Sequence, residues 1–195
     1  MPSTITNSSL WKSSLGLSAK GETEKSLNRF RQSFLQFRER TSLLVGEIHR
    51  QLPDLTVHDI SHLDSLWEMA SLVAGPKYQL TPAEGFVFGG AVLLHDAGMA
   101  LVAYPDGIKE LQKSNTWNDA VAIELEKQLD RKPTNQEIQN PTDAITNCVT
   151  AGLLRNLHAQ QSERLATISW KAKKEDTAQY LIEDNELRQS LGRII

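Results

Sequence analysis

Residues 81–99 read TPAEGFVFGGAVLLHDAGM, and the fold turns on this stretch. Thr81, then Pro82, then Glu84 three residues after the threonine form a capping box with proline at the first helical position. From Gly85 to Leu94, ten residues pass without a charge. A helix apolar on every side belongs at the centre of its fold, and this run is too short to cross a bilayer. Gly85, Gly89 and Gly90 cost about 1 kcal/mol each against alanine. That cost is explained if neighbouring helices approach the backbone closely. The spacing predicts a buried helix over 82–97 that delivers His95 and Asp96 to wherever the core opens. Buried without partners, these two groups would be expensive.

Outward from this rod the periodicity stays helical. Leu27, Phe30, Phe34, Phe37, Thr41, Leu44 and Ile48 step by three and four, the signature of one long N-terminal amphipathic helix ended by Pro53. Arg29, Arg31, Arg38 and Arg40 fall elsewhere on that helix, as a solvated face or, less simply, as a surface for an anionic ligand. Thr56 with Asp59 and Thr116 with Asp119 read as carboxylate variants of the capping box, and Asn140-Pro141-Thr142-Asp143 repeats the logic. Helices are expected over about 24–51, 57–74, 82–97, 117–130, 141–156, 158–172 and 176–195. Turns are expected at Gly75-Pro76, Gly98, 104–107 and 132–135. The fold class is all-α, with a flexible or loosely docked tail over 1–21 and one helical domain over 22–195. The apolar pattern of the last segment (Leu181, Ile182, Leu187, Leu191, Ile194, Ile195) still runs where the sequence stops. It predicts an exposed apolar patch around 191–195 and a domain truncated at its C-terminus.

Composition narrows the function classes. At 195 residues, 39% apolar and 23% charged, the chain can bury roughly 70% of its unfolded surface, so disorder and fibrous classes are excluded. Lys and Arg number 21 against 24 Asp and Glu, a net charge of −3, which is no global nucleic-acid footprint; a local basic groove stays possible. The one cysteine, Cys148, rules out an intramolecular disulfide and a four-cysteine zinc site, and fits a reducing, cytoplasmic setting. The Ser/Thr-rich N-terminus lacks the apolar core of a secretory signal, and no membrane partner is expected.

There are five histidines, at 49, 58, 62, 95 and 158. His58 and His62 are four apart, so one helix face presents both. His95 and Asp96 end the central helix, and His158 follows Arg155 in Arg-Asn-Leu-His-Ala. Imidazole and carboxylate are the standard donors for catalytic divalent metals, and groups on three helices can converge on one ion. Taken singly, each histidine reads equally as a hydrogen-bonded structural residue or a helix cap. His49, alone near a helix end beside Arg50, stays in that class. No phosphate-binding glycine loop is present, since Gly85-x-x-x-Gly89-Gly90 fits neither nucleotide pattern.

His58-Asp59-Ile60-Ser61-His62 on one helix, followed by Leu93-Leu94-His95-Asp96-Ala97-Gly98-Met99, resembles the HD superfamily of metal-dependent phosphohydrolases over about residues 55–165. More narrowly, Leu52-Pro53-x-Leu55-Thr56-x-His58-Asp59-Ile60-Ser61-His62-Leu63-Asp64 and Arg155-Asn156-Leu157-His158-Ala159 are similar to HD domains at the N-terminus of large bacterial proteins. Those proteins often continue into a chaperone-type ATPase module, so the resemblance implies such a module as a partner in a longer chain. It implies an HD-type helical core in which His62 is the first metal ligand and His95-Asp96 the doublet. His158 is an additional histidine, which would hold a second ion or protonate the leaving oxygen. His58 is a ligand, an outer hydrogen-bond donor or part of the cap turn; Arg155 faces a substrate phosphate or makes a structural ion pair. The family's last aspartate has no clear counterpart, Asp176 and Asp184 being the candidates.

The resemblance thus implies a divalent metal (Mn, Mg, Fe, Ni or Zn) as cofactor. The expected reaction is phosphomonoester or phosphodiester hydrolysis, with a nucleotide or nucleic-acid end as substrate and Asp96, His158 and Arg155 as the catalytic set. Two other readings stay open. One is an HD-like sensor or regulatory module that binds metal or nucleotide without turnover. The other is a purely structural helical interaction domain.

Overall fold

The structure is a computed structural model that describes residues 4–171 and 177–194. It is all-α apart from one two-residue ribbon. In chain order the helices are α1 (Ser9–Ser13), α2 (Glu22–Val45), α3 (Ile48–Gln51), α4 (Ile60–Ala74), α5 (Pro82–Leu94), α6 (Ile108–Gln112), α7 (Trp117–Leu129), α8 (Asn135–Gln139), α9 (Asp143–Leu165) and α10 (Asn185–Leu191). Short 3-10 turns cover Thr4–Asn7, Ala97–Met99 and Leu101–Ala103.

Helix α5 is the central rod that its composition requires. Its Thr81–Glu84 capping box forms in full, and Phe86, Gly89, Gly90, Leu93 and Leu94 are buried. The glycines admit the neighbours. A Cβ on Gly89 would stand 2.3 Å from the Phe34 ring and 2.8 Å from Trp67, and one on Gly90 would stand 3.1 Å from Leu191. Phe34 of α2 is the hub of an aromatic cluster, with ring centroids 5.9 Å from Trp11, 5.8 Å from Trp67 and 6.3 Å from Phe86. Such tilted pairs add about 0.5–1.5 kcal/mol each beyond area burial.

Several expectations need correction. The N-terminal segment is not loosely docked over its described residues: Ile5, Leu10, Trp11 and Leu15 are buried. Its polar groups bind α4, with Trp67 Nε1 donating to Ser8 Oγ (2.8 Å) and Leu10 N–H donating to Ser71 Oγ (3.2 Å). The expected 24–51 helix is two, α2 and α3, parted at Gly46. The expected helices 141–156 and 158–172 are one continuous α9 that stops at Leu165, after which a turn through Ala166 and Thr167 leads into the extended Ser169-Trp170. Strand β1 (Ser169–Trp170) pairs antiparallel with β2 (Gln179–Tyr180), Ser169 opposite Tyr180. The expected 176–195 helix is therefore β2, an extended turn and the short α10. Leu181, Ile182 and Leu191 are buried, so the patch around 191–195 reduces to Ile194 among its described residues. Exposed apolar side chains gather instead at Met69, Leu72 and Val73 on α4.

Capping also departs in detail. Asp59, and not Thr56, caps α4; Thr142 caps α9; Thr116 makes no cap hydrogen bond for α7. Thr134 and Glu137 form a second complete capping box, starting α8 where a turn was expected. The four α2 arginines are neither a free face nor an anion surface. Arg29 binds Asp184 and Glu186, Arg31 the Leu15 and Leu17 carbonyls, Arg38 Asp64, and Arg40 Glu183 and the Tyr180 carbonyl. They tie α2 to the N-terminal segment, to α4 and to the C-terminal segment. Among the described residues no helix is long and apolar enough to cross a membrane.

Candidate metal centre

Two helix ends and one turn build the site. Asp59 starts α4 by accepting from Ser61 N–H (2.8 Å) and from Ser61 Oγ (2.5 Å). The Ser61 hydroxyl above all, with backbone N–H groups of Ser61 and His62, holds the Asp59 carboxyl below its ordinary range. Asp59 is thus a charged cap, and it fixes the entry of α4 so that His62 lies in the first turn. At the far end of α5 the chain leaves the helix at His95, and Asp96 turns inward as the Ala97–Met99 turn begins.

His62, His95 and Asp96 offer donor atoms that all lie within 4.8 Å of one another. His62 Nε2 is 3.2 Å from Asp96 Oδ2, and His95 Nε2 is 3.4 Å from Asp96 Oδ1. Two ligands on one tetrahedral ion at 2.0–2.2 Å sit about 3.4 Å apart, so these separations are of the size a shared ion needs. Asp96 is 3% exposed, His62 half-buried and His95 exposed. Asp96 Oδ2 is buried yet makes no hydrogen bond among the described residues. A buried carboxylate oxygen facing ring nitrogens and unsatisfied by them is what a cation would repair.

His58 comes next, with Nε2 4.0 Å from Asp96 Oδ2 and its ring centroid 5.2 Å from that of His62. Its Nδ1 bonds the Thr56 carbonyl. A carbonyl only accepts, so Nδ1 is the donor, and Nε2, on the Asp96 side, is the atom available to a metal. His158 does not join the group of three. Its Nδ1 donates to Arg155 O (2.6 Å), which again leaves Nε2 free. The His158 backbone nonetheless lies against the turn that follows the doublet, since a Cβ on Gly98 would stand 2.2 Å from the His158 carbonyl oxygen.

Arg155 is exposed and has no ion pair among the described residues, so the structural pairing considered for it is not found. Asp184 is removed from the ligand candidates. It caps α10, and Arg29 grips both its oxygens at 2.5 and 2.7 Å. Asp176 lies outside the described residues. One contributor escaped the sequence reading. Ser162, buried in α9, accepts from Gly98 N–H at 2.9 Å and thereby anchors the turn that carries Asp96. Its only signal was a small polar residue on an inward helix face.

A helical domain that gathers histidines from one helix around a His-Asp doublet at the end of a buried central helix is an HD-type domain. The HD-CE family model matches residues 52–195, and the chain belongs to that family. No curated protein and no solved structure matches it.

Proposed function

We propose that the His62–His95–Asp96 centre holds a divalent metal ion and that the domain hydrolyses phosphoesters, with a nucleotide or a nucleic-acid end as substrate. The observation that carries this reading is the buried Asp96 carboxylate, with one orphaned oxygen among imidazole nitrogens. Imidazole nitrogen and carboxylate oxygen together suit Mn, Fe, Ni or Zn better than calcium, and Mg less well. When bound, such an ion supplies Lewis acidity toward a phosphoryl oxygen and activates water near neutral pH. The residues supply the rest. Asp96 has two oxygens and would be the bridging ligand if two ions bind, and His58 completes the imidazole set from the α4 side. His158, whose Nε2 is not used in its bond to Arg155 O, would hold a second ion or, once protonated at Nε2, give that proton to the leaving oxygen, and the unpaired Arg155 meets substrate phosphate.

A second reading has an observation of its own. Among the described residues only one carboxylate joins the centre, which favours binding without turnover, as in a sensor or regulatory module. A chaperone-type ATPase module in a longer chain would be the receiver of that signal.

Metal analysis of chain purified without chelator, with Asp96→Asn alongside, tests the centre. About one equivalent or more of a transition metal is expected in the parent and a loss of at least tenfold in affinity in the variant. A panel of nucleotides and generic phosphodiesters with Mn²⁺ then separates the readings. Turnover abolished by EDTA and by Asp96→Asn supports hydrolysis; stoichiometric metal without turnover supports the regulatory reading; no metal in either protein overturns both.

A further inference from the structure

Helix α4 has an outer face that no described residue covers. Leu63, Trp67 and Ser71 are its buried side. On the other side Met69, Leu72 and Val73 are 59%, 76% and 82% exposed, with Tyr78 just beyond the helix end at 54%. Against this group opens a hollow of about 430 Å³, with Ala70, Ala74, Leu80 and Phe88 in its lining and no charged residue there. Scattered apolar side chains are ordinary on a surface, but a contiguous group beside an apolar hollow marks an interface.

The charges choose the occupant. Between Asp64 and Glu84 the chain carries only two charged residues, Glu68 and Lys77, one at each end of the exposed group. Neither makes an ion pair among the described residues. Leu72 and Val73, the most exposed apolar pair, lie midway between them in the sequence. Two copies laid antiparallel about a twofold axis at that pair set Glu68 of each against Lys77 of the other, whereas a parallel arrangement sets like charges together. Complementary charges at a rim fix orientation and register in this way. The same operation lays the Met69–Val73 ridge of one copy along the hollow of the other, where Ala70 and Ala74 allow close helix approach. The exposed group amounts to apolar surface on the order of 500 Å² per copy, and the twofold doubles it to about 1,000 Å², the least that a specific interface needs. A contact of that size predicts a dissociation constant in the micromolar range.

We infer that the outer face of α4 is a self-association surface, on which a second copy of this chain packs antiparallel about a twofold axis through Leu72 and Val73. His62, in the first turn of α4, is about 16 Å from Val73 along the helix. The metal centre therefore lies outside the paired stretch from Glu68 to Lys77, and the dimer does not depend on what that centre does.

Sedimentation velocity of the full chain over a range of about 1–300 µM tests the inference. The mass rises with concentration from that of one chain, 21.8 kDa, toward that of two and no further. Leu72→Asp weakens dimerisation at least about tenfold, and because that side chain stands mostly in solvent, the variant melts with the parent at the dilute end of the range. Glu68→Lys and Lys77→Glu each weaken dimerisation about 3- to 10-fold. The double variant recovers it, and so does an equimolar mixture of the two single variants, because opposite charges then meet again across the axis. Asp96→Asn and EDTA leave the dimer unchanged. The inference is overturned if the chain stays a single copy at every concentration, which would leave the face to a different occupant, or if the mass climbs past two copies. Leu72→Asp dimerising as tightly as the parent, or a mixture of the charge variants no better than its components, also overturns it. So does loss of the dimer in Asp96→Asn or in EDTA, which would place the contact at the metal centre.

Discussion

Gly98→Ala tests how the doublet is held. A methyl group at that position would stand 2.2 Å from the His158 carbonyl oxygen, 2.9 Å from Ser162 N and 2.9 Å from Ser162 Oγ. A carbon–oxygen contact settles at about 3.3 Å or more, so α9 and the 97–99 turn must part by about 1 Å. Two of the three atoms in the way are backbone, and no rotamer change relieves them. Overpacking of this kind costs about 1–3 kcal/mol. Separation also breaks the buried Gly98 N–H to Ser162 Oγ bond, at about 1–3 kcal/mol for the orphaned donor. Together these come to about 2–6 kcal/mol, a fall in Tm on the order of 10 °C for a chain of this length. Thermal unfolding followed by circular dichroism reads it. Gly152→Ala is the internal control, because that glycine lies within α9 itself yet has open space where its Cβ would be. Helix propensity predicts that it raises stability by up to about 1 kcal/mol. If Gly98→Ala melts within about 2 °C of the parent, or if the two variants behave alike, the contact between α9 and the doublet is not what fixes Asp96.

Two further tests address the packing and the charges. Gly89→Ala gains about 1 kcal/mol in helix propensity but drives a methyl into the Phe34 and Trp67 rings, both buried among other aromatics, so a net loss of about 1–2 kcal/mol is expected by denaturant titration. For pH, the Arg29 guanidinium above all holds the Asp184 carboxyl below its ordinary value of 3.8. A carboxylate whose folded value is depressed stabilises above the unfolded value, and that contribution disappears as pH falls through the folded one. Arg29→Leu is therefore expected to melt below the parent at pH 6, with the gap closing as the pH drops under about 4; a gap constant across that range contradicts the assignment.

How much of the fold the sequence disclosed follows from how local each signal is. The central helix was legible because an uncharged stretch after a complete capping box has few other fates, and its glycines because only close packing justifies them in a helix. The long helix was legible as a stripe, but its break at Gly46 was not, since the apolar steps continue through Ile48. The C-terminal region misled for the same reason. Leu181, Ile182, Leu187 and Leu191 are all buried, and a helical stripe accounts for such a set as readily as the observed ribbon, turn and short helix. Apolar spacing in a short segment records burial and leaves the backbone conformation open.

The centre divides along a similar line. Donor type and helix position picked out His62, His95 and Asp96, because these lie where two helices begin and end and their distances follow from the packing of α4 against α5. His158 depends on something else: how α9 crosses the 97–99 turn, which is set by the missing Cβ of Gly98 and by Ser162 below it. The sequence shows a glycine after the doublet and a serine in mid-helix, with nothing to link them across the intervening residues. That contact also orders the consequences. If the turn moves, Asp96 moves with it, and the imidazoles of α4 are left facing a displaced carboxylate. Gly98→Ala and Asp96→Asn should therefore both weaken metal binding, the first with loss of stability and the second without, since Asn keeps the volume of a residue that makes no hydrogen bond through Oδ2. Comparable unfolding in the two variants would mean that the carboxylate serves the fold before it serves any ion.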